Sequence, residues 1–157
     1  YKNLPSNVFL IDSNDKFSTY RAMEICNAVI IYGTKMGVEL TSMGIPVIVG
    51  GEAWIRNKGL TVDPCDITSY DEALDALPYN RRLSPETVER ALKYAYHFFF
   101  RRMIEISVFK DTGGSPQFLM SINSLSDLEP GKCSGLDVVC DGILLGNEFL
   151  AKRDTVF

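Results

Sequence analysis

Three apolar runs in the first fifty residues have the length and residue types of β-strands. They are Asn7–Asp12, Ala28–Tyr32 and Ile45–Gly50. The second and third runs show little polar alternation, which is typical of parallel strands that are buried on both faces. Pro46 stands near the start of the third run, where a missing backbone donor does least harm to a strand.

The segments between these runs contain residues that typically cap helices at their start and end. Ser18 or Thr19 can cap a helix that extends to Asn27, and a second helix is predicted over Met36–Met43, with Gly44 ending it. The order is therefore strand, helix, strand, helix, strand. Such an order with short connections predicts an α/β fold with parallel strands and right-handed crossovers.

The rest of the chain predicts a loop, a long helix and an irregular tail. A polar loop follows Gly51 and contains one short helix at Ser69–Leu77. Ser84-Pro85-Glu86 then has the features of a helix start, and the predicted helix covers 84–109. Its apolar stripe comprises Val88, Leu92, Ala95, Phe99, Met103 and Ile106. We predict one domain over 1–110 and a tail over 111–157 that packs on it, with a short helix at Leu136–Gly146.

Composition narrows the classes of partner. The 157 residues carry 16 basic and 20 acidic side chains, which gives a net charge of −4. Nucleic-acid binding normally requires a basic face, so this charge argues against a nucleic-acid partner. The apolar runs are strand-sized, which predicts no transmembrane span. Four cysteines without a CxxC pair and a single His97 argue against zinc and for reduced thiols in a cytosolic protein.

The segment Gly33-Thr34-Lys35-Met36-Gly37 is the strongest candidate for chemistry. It follows a predicted buried strand and opens a helix, whose first amides and dipole favour an anion such as a diphosphate. We expect the two glycines to permit tight backbone angles and a close approach of the ligand. Thr34 adds a hydroxyl donor, and Lys35 adds a cation or simply faces water.

Glu39 lies early in the same predicted helix. A carboxylate there can accept two hydrogen bonds from the vicinal diol of a ribose. The alternative is an acid that the helix dipole favours without any ligand. Spacing alone leaves both interpretations open, because a bare GxxxG is neither a P-loop nor the dinucleotide fingerprint.

The pattern Gly33-Thr34-x-x-Gly37-x-Glu39, followed by 44–49 (GIPVIV), resembles the donor-site motif of GT-B glycosyltransferases. The resemblance is closest to bacterial capsule or surface polysaccharide biosynthesis proteins, and it extends from Asn7 to the end of the long helix. It includes 18–30, 50–54, 58–61 and Asp63-Pro64, and the tail 137–146 is similar less specifically. It implies the carboxy-terminal, donor-binding half of the fold, a Rossmann-like three-layer α/β/α domain with a mainly parallel sheet.

The resemblance also implies roles for individual residues. Gly33, Thr34 and Gly37 would contact the phosphates of a nucleotide-sugar donor, and Glu39 would hold the ribose. Ser13, Ser18 and Thr19 would lie near the base or sugar. The charged residues of the next loop would border the cleft or, alternatively, face solvent; they are Glu52, Arg56 and Lys58. No metal or other cofactor is implied, because backbone amides at the helix start take the place of a cation at the leaving diphosphate.

The acceptor would be a polysaccharide or a lipid-linked sugar, bound by an amino-terminal domain that we expect to be missing from this chain. The chain alone would then bind donor and transfer nothing. Two alternatives stay open: a sugar-nucleotide 2-epimerase-like half-enzyme, and a non-catalytic assembly module with the same fold. The expected location is the cytoplasm, including the inner face of the membrane.

The aromatic and basic run 94–102 (YAYHFFFRR) has more aromatics than one helix stripe can bury. Three interpretations stay open: packing on both faces, contact with the missing domain, and contact with a membrane surface. We predict an exposed apolar patch near the long helix. His97 stands among these aromatics, where a structural role is the simpler interpretation.

Overall fold

The computed structural model describes residues 4–12 and 14–151. Contacts group the chain into two compact units, Tyr1–Ala91 and Leu92–Phe157. The first unit is a mixed α/β arrangement with a small parallel sheet, and the second contains an antiparallel hairpin and a helix. The α/β class and the parallel pairing predicted from the sequence are therefore confirmed, while the domain boundary at residue 110 stays a prediction.

The first unit is built on two short parallel strands. Helix α1 (Thr19–Ile25) precedes strand β1 (Val29–Ile31), and helix α2 (Met36–Ser42) precedes strand β2 (Val47–Val49). The strands pair in parallel, with Val29 opposite Val47. A parallel bridge from Ile48 to Val62 extends the sheet beyond β2. All three residues of β2 are buried, because β2 is paired on both edges.

The core of this unit surrounds β2. Its largest fully buried side chains are Val38, Leu40, Thr41, Ile45, Val47, Ile48, Val49 and Ile55. The one polar member, Thr41, is satisfied locally, because its hydroxyl donates to the carbonyl of Gly37 at 2.9 Å. Gly44 has φ +78° and follows the end of α2, as predicted from the sequence.

The predicted strand at Asn7–Asp12 is wrong. These residues are exposed coil, and the side chain of Phe9 is 84% exposed. Local hydrogen bonds hold the segment in turns instead: the amide of Val8 donates to the carbonyl of Pro5, and Asp12 accepts the amide of Asn14 at 2.9 Å. A strand requires a pairing neighbour, and within the described residues β1 pairs only with β2. Ile30 is 46% exposed as a result, so β1 is not buried on both faces.

Helix α3 (Ile67–Asp75) lies in the predicted loop and begins two residues before the expected start. Asp66 caps it by accepting the amide of Ser69 at 2.8 Å, and this hydrogen bond lowers the pKa of the Asp66 carboxyl. The chain then returns toward α1 and α2. The amide of Leu83 donates to the carbonyl of Gly44, and Arg82 donates to the carbonyl of Glu24.

The long helix is shorter than predicted. Helix α4 covers Pro85–Tyr96, and a π-helical turn follows at His97–Arg101, so regular helix does not reach residue 109. Ser84 caps α4 as expected, because its hydroxyl accepts the amide of Thr87 at 3.2 Å. The predicted stripe is also displaced: Ala91 is fully buried, whereas Leu92 is 53% exposed. Beyond Tyr96 the π turn takes more residues per turn than an α-helix, so the part of the predicted stripe at Phe99 and Met103 is out of phase as well.

The second unit contains a hairpin that the sequence analysis did not predict. Strands β3 (Phe109–Asp111) and β4 (Phe118–Met120) pair antiparallel around the Gly113–Pro116 break. Helix α5 (Ser134–Leu145) confirms the predicted tail helix, and Gly146 ends it with φ +72°. Tyr96 and Phe100 are partly exposed while Phe98 is buried, so the chain does not bury all the aromatics of this run.

Candidate functional site

The carboxyl ends of β1 and β2 lie side by side and form one edge of the parallel sheet. The amide of Gly50 donates to the carbonyl of Ile31 at 2.8 Å, so the two chain segments continue together past the strands. Gly33 then approaches Glu52 so closely that a Cβ at position 33 would lie 2.8 Å from the Glu52 carbonyl oxygen. Ligands of parallel α/β sheets bind at such an edge.

Thr34 and Lys35 form the entry to α2. The hydroxyl oxygen of Thr34 accepts the amide of Met36 at 3.3 Å, and the carbonyl of Lys35 accepts the amide of Val38 at 3.0 Å. Two of the first helical amides are thus satisfied within the chain. Because the Thr34 hydroxyl accepts the amide through its oxygen, its own O–H can donate outward.

Gly37 has a packing role. It is buried, and a Cβ at this position would lie 2.6 Å from Cδ1 of Ile31 and 3.0 Å from Cγ2 of Ile55. The glycines with positive φ in the described chain are Gly44, Gly59, Gly113, Gly131 and Gly146, a set that excludes Gly33 and Gly37. Neither Gly33 nor Gly37 therefore has the left-handed backbone that only glycine adopts readily. Both are required by close packing instead.

Glu39 lies in the first turn of α2 and is half-buried. Its Oε2 accepts a hydrogen bond of 3.0 Å from the hydroxyl of Tyr20, on α1. The hydrogen bond to Glu39 and the negative charge of that carboxylate raise the pKa of Tyr20. Tyr20 is not among the site residues predicted from the sequence, since 19 positions separate it from Glu39 and only the fold brings the two together.

A cavity of about 360 Å³ lies between α1, β1 and the start of α2. Thr19, Tyr32 and Thr34 are the lining residues that carry a hydroxyl group. The other lining residues are mostly apolar: Ala22, Met23, Cys26, Val29, Ile30, Ile31, Met36 and Leu40. An apolar wall with a few polar groups is typical of small-molecule sites. The fold thus places two of the predicted site residues, Thr19 and Thr34, on one cavity.

The loop after β2 contains the three predicted charged residues, and they differ in what they contact. The Arg56 guanidinium donates to the carbonyls of Val49 (2.8 Å), Gly51 (3.1 Å) and Pro64, so it braces both ends of the loop. Glu52 and Lys58 are exposed. The backbone carbonyl of Lys58 accepts a hydrogen bond from Arg90.

Ser18 and Ser13 complete the predicted set. Ser18 is exposed at the N-cap position of α1, where its carbonyl accepts the amide of Ala22 at 3.1 Å. Ser13 lies outside the described residues. Of the predicted site residues, Gly33, Thr34 and Glu52 lie together at the sheet edge, because Gly33 approaches the backbone of Glu52 and Thr34 follows Gly33.

Over residues 4–12 and 14–151, no group of three or more His, Cys, Asp or Glu side chains is arranged to hold a metal ion. The four cysteines are free thiols. No helix in the described chain has the length and apolar character needed to cross a bilayer.

Comparison with known proteins gave no significant match to a protein family, to a curated protein or to a solved structure.

Proposed function

We propose that this chain forms the donor-binding domain of a GT-B glycosyltransferase that acts in capsule or surface polysaccharide biosynthesis. The proposal includes a Rossmann-like three-layer α/β/α architecture, of which β1 and β2 form the centre. The observation that carries it is the position of Glu39. Glu39 is half-buried in the first turn of α2, the helix that follows the Gly33–Thr34 turn, and its carboxylate accepts a hydrogen bond from the hydroxyl of Tyr20 on α1.

Glu39 is suited to hold a ribose. A carboxylate has about four lone-pair sites, and the Tyr20 hydroxyl occupies one of them on Oε2. The remaining acceptor capacity matches the two hydroxyl donors of a vicinal diol. The hydrogen bond from Tyr20 also restricts the rotamer of Glu39 before a ligand arrives, which lowers the entropic cost of binding.

The diphosphate of the donor is assigned to the turn before α2. The Thr34 hydroxyl can donate to a phosphate oxygen, and Lys35 supplies a positive charge on an exposed side chain. The cavity lined by Thr19 and Thr34 provides an apolar wall for the rest of the molecule. A nucleotide sugar combines these chemistries, since it has a charged diphosphate, a ribose diol and less polar ring faces.

The role of this chain in the reaction is to bind and orient the donor. The acceptor and the catalytic base would come from an amino-terminal domain, as the resemblance implies. We therefore expect the chain to bind a nucleotide sugar.

The experiment that tests the proposal is a calorimetric titration of nucleotide sugars into the native chain and the Glu39→Ala variant. Losing a charged hydrogen-bond partner should weaken affinity by roughly 1.5–3 kcal/mol, which is about 10- to 150-fold. Glu72→Ala is the matched control, because Glu72 is an exposed glutamate on helix α3. Tyr20→Phe should give a smaller loss than Glu39→Ala. Equal affinity of the native chain and Glu39→Ala would contradict the assignment.

A further inference from the structure

Tyr32 is the most exposed aromatic side chain at the sheet edge. It follows β1 directly, and 79% of its surface is accessible to solvent. The ring lies against the backbone of Gly51, the second residue after β2. A Cβ at position 51 would lie 2.5 Å from Cδ2, 2.6 Å from Cε2 and 2.8 Å from Cγ of the ring.

In this arrangement one side of the ring faces the Gly51 backbone while much of the ring stays open to solvent. Any residue other than glycine at position 51 would push the ring away, so the contact depends on both residues. Tyr32 also lines the cavity that contains Thr19 and Thr34. An aromatic ring that is supported on one side and exposed on the other is pre-organised for stacking, because little further freedom is lost when a ligand binds.

We propose that Tyr32 is a platform on which a ring of the donor stacks. This inference rests on the proposed function and extends it to a residue that determines affinity for the ring-bearing part of the ligand. The chemistry is the contact of an aromatic face with a flat, weakly polar ring face. Within a nucleotide sugar, that face belongs either to the nucleobase or to the hexose.

The test compares Tyr32→Leu, Tyr32→Phe and Gly51→Ala in calorimetric titrations of the full chain. The probes are UDP, GDP, CDP and dTDP, their glucose conjugates where these exist, and inorganic pyrophosphate. Tyr32→Leu should weaken binding of the ring-bearing probes by roughly 5- to 150-fold, and pyrophosphate binding should stay unchanged. Tyr32→Phe should retain affinity, because it keeps the ring. Gly51→Ala should behave like Tyr32→Leu, because it displaces the ring without removing it.

The probes separate the two ring sources. A loss with both the nucleoside diphosphate and its glucose conjugate assigns the stacking to the base, and a loss with the conjugate alone assigns it to the hexose. Phe118→Leu, which removes an exposed aromatic from hairpin strand β4, is the control for a general loss of aromatic surface.

Failure of the inference is distinct from failure of the proposed function. If the native chain binds a nucleotide sugar and Glu39→Ala weakens it, unchanged affinity in Tyr32→Leu overturns the stacking role alone. An equal loss in Tyr32→Leu and Phe118→Leu also overturns it. If the native chain binds none of the probes, both the proposed function and the stacking role are overturned.

Discussion

Replacing Gly37 by alanine tests whether this glycine is required for packing or for ligand binding. The new Cβ would lie 2.6 Å from Cδ1 of Ile31 and 3.0 Å from Cγ2 of Ile55, and both isoleucines are buried. Such overpacking costs about 1–3 kcal/mol, and the better helix propensity of alanine offsets about 1 kcal/mol of it. We therefore expect a net loss of about 0–2 kcal/mol in the free energy of unfolding, measured by urea denaturation.

A double-mutant cycle gives the sharper measurement. Ile31→Val removes the Cδ1 atom that the new Cβ meets, and alone it should cost about 0.5–1.5 kcal/mol. In the double variant Gly37→Ala/Ile31→Val, the alanine methyl takes the vacated space. The combined loss should thus be smaller than the sum by about 0.5 kcal/mol or more. Gly114→Ala is the control, because the nearest atom to its new Cβ would be Oγ1 of Thr112 at 3.8 Å.

Two results would refute this reasoning. Additive losses in the cycle would show that Ile31 and position 37 do not compete for space. A folded Gly37→Ala variant that binds nucleosides normally but loses nucleoside diphosphates would show that the glycine serves the phosphates instead.

Three further predictions concern the loop after β2 and its helix. Arg56→Ala should lower the free energy of unfolding in urea by about 1.5–3 kcal/mol, because three carbonyls lose a charged donor. Arg56→Lys should lose less than Arg56→Ala but more than the native chain, because an ammonium group cannot reproduce the fork of a guanidinium. Asn57 has φ +60°, so Asn57→Ala should cost roughly 1–2 kcal/mol while Asn57→Gly should not; equal costs would contradict the strain. The amide and hydroxyl of Ser69 lower the pKa of the Asp66 carboxyl below its ordinary value, so the stability that Asp66 contributes is present above the ordinary pKa and is lost as pH falls through the folded pKa. Acid unfolding curves of Asp66→Asn should lack that dependence.

The sequence predicts the local elements of the first unit well. The runs around β1 and β2 are apolar enough to specify strands, of which only β2 is fully buried, and Gly44 marks the end of α2 through its left-handed backbone. Caps are also local signals: Ser84 binds the Thr87 amide at the start of α4, as its position before Pro85 suggests. In each case the information lies within a few residues.

The sequence-based predictions fail where the local structure depends on a neighbour that is distant in sequence. Asn7–Asp12 has strand-forming residues but lacks a described partner strand, so its composition is not enough. Glycine is required at position 37 because Ile31 and Ile55 pack against it, and the spacing of apolar residues does not reveal such a contact. The Tyr20–Glu39 hydrogen bond likewise depends on how α1 and α2 lie against the sheet.

The central claim is that the chain binds a nucleotide-activated sugar through Glu39. The most direct measurement is the thermal unfolding midpoint of the native chain and of Glu39→Ala with UDP-, GDP-, CMP- and dTDP-linked sugars. Binding stabilises the native state by about 2.7 kcal/mol at a ligand concentration one hundred times the Kd. We predict that at least one donor raises the midpoint of the native chain, with a smaller rise in Glu39→Ala. A midpoint that no donor changes, or an equal rise in both proteins, would contradict the claim.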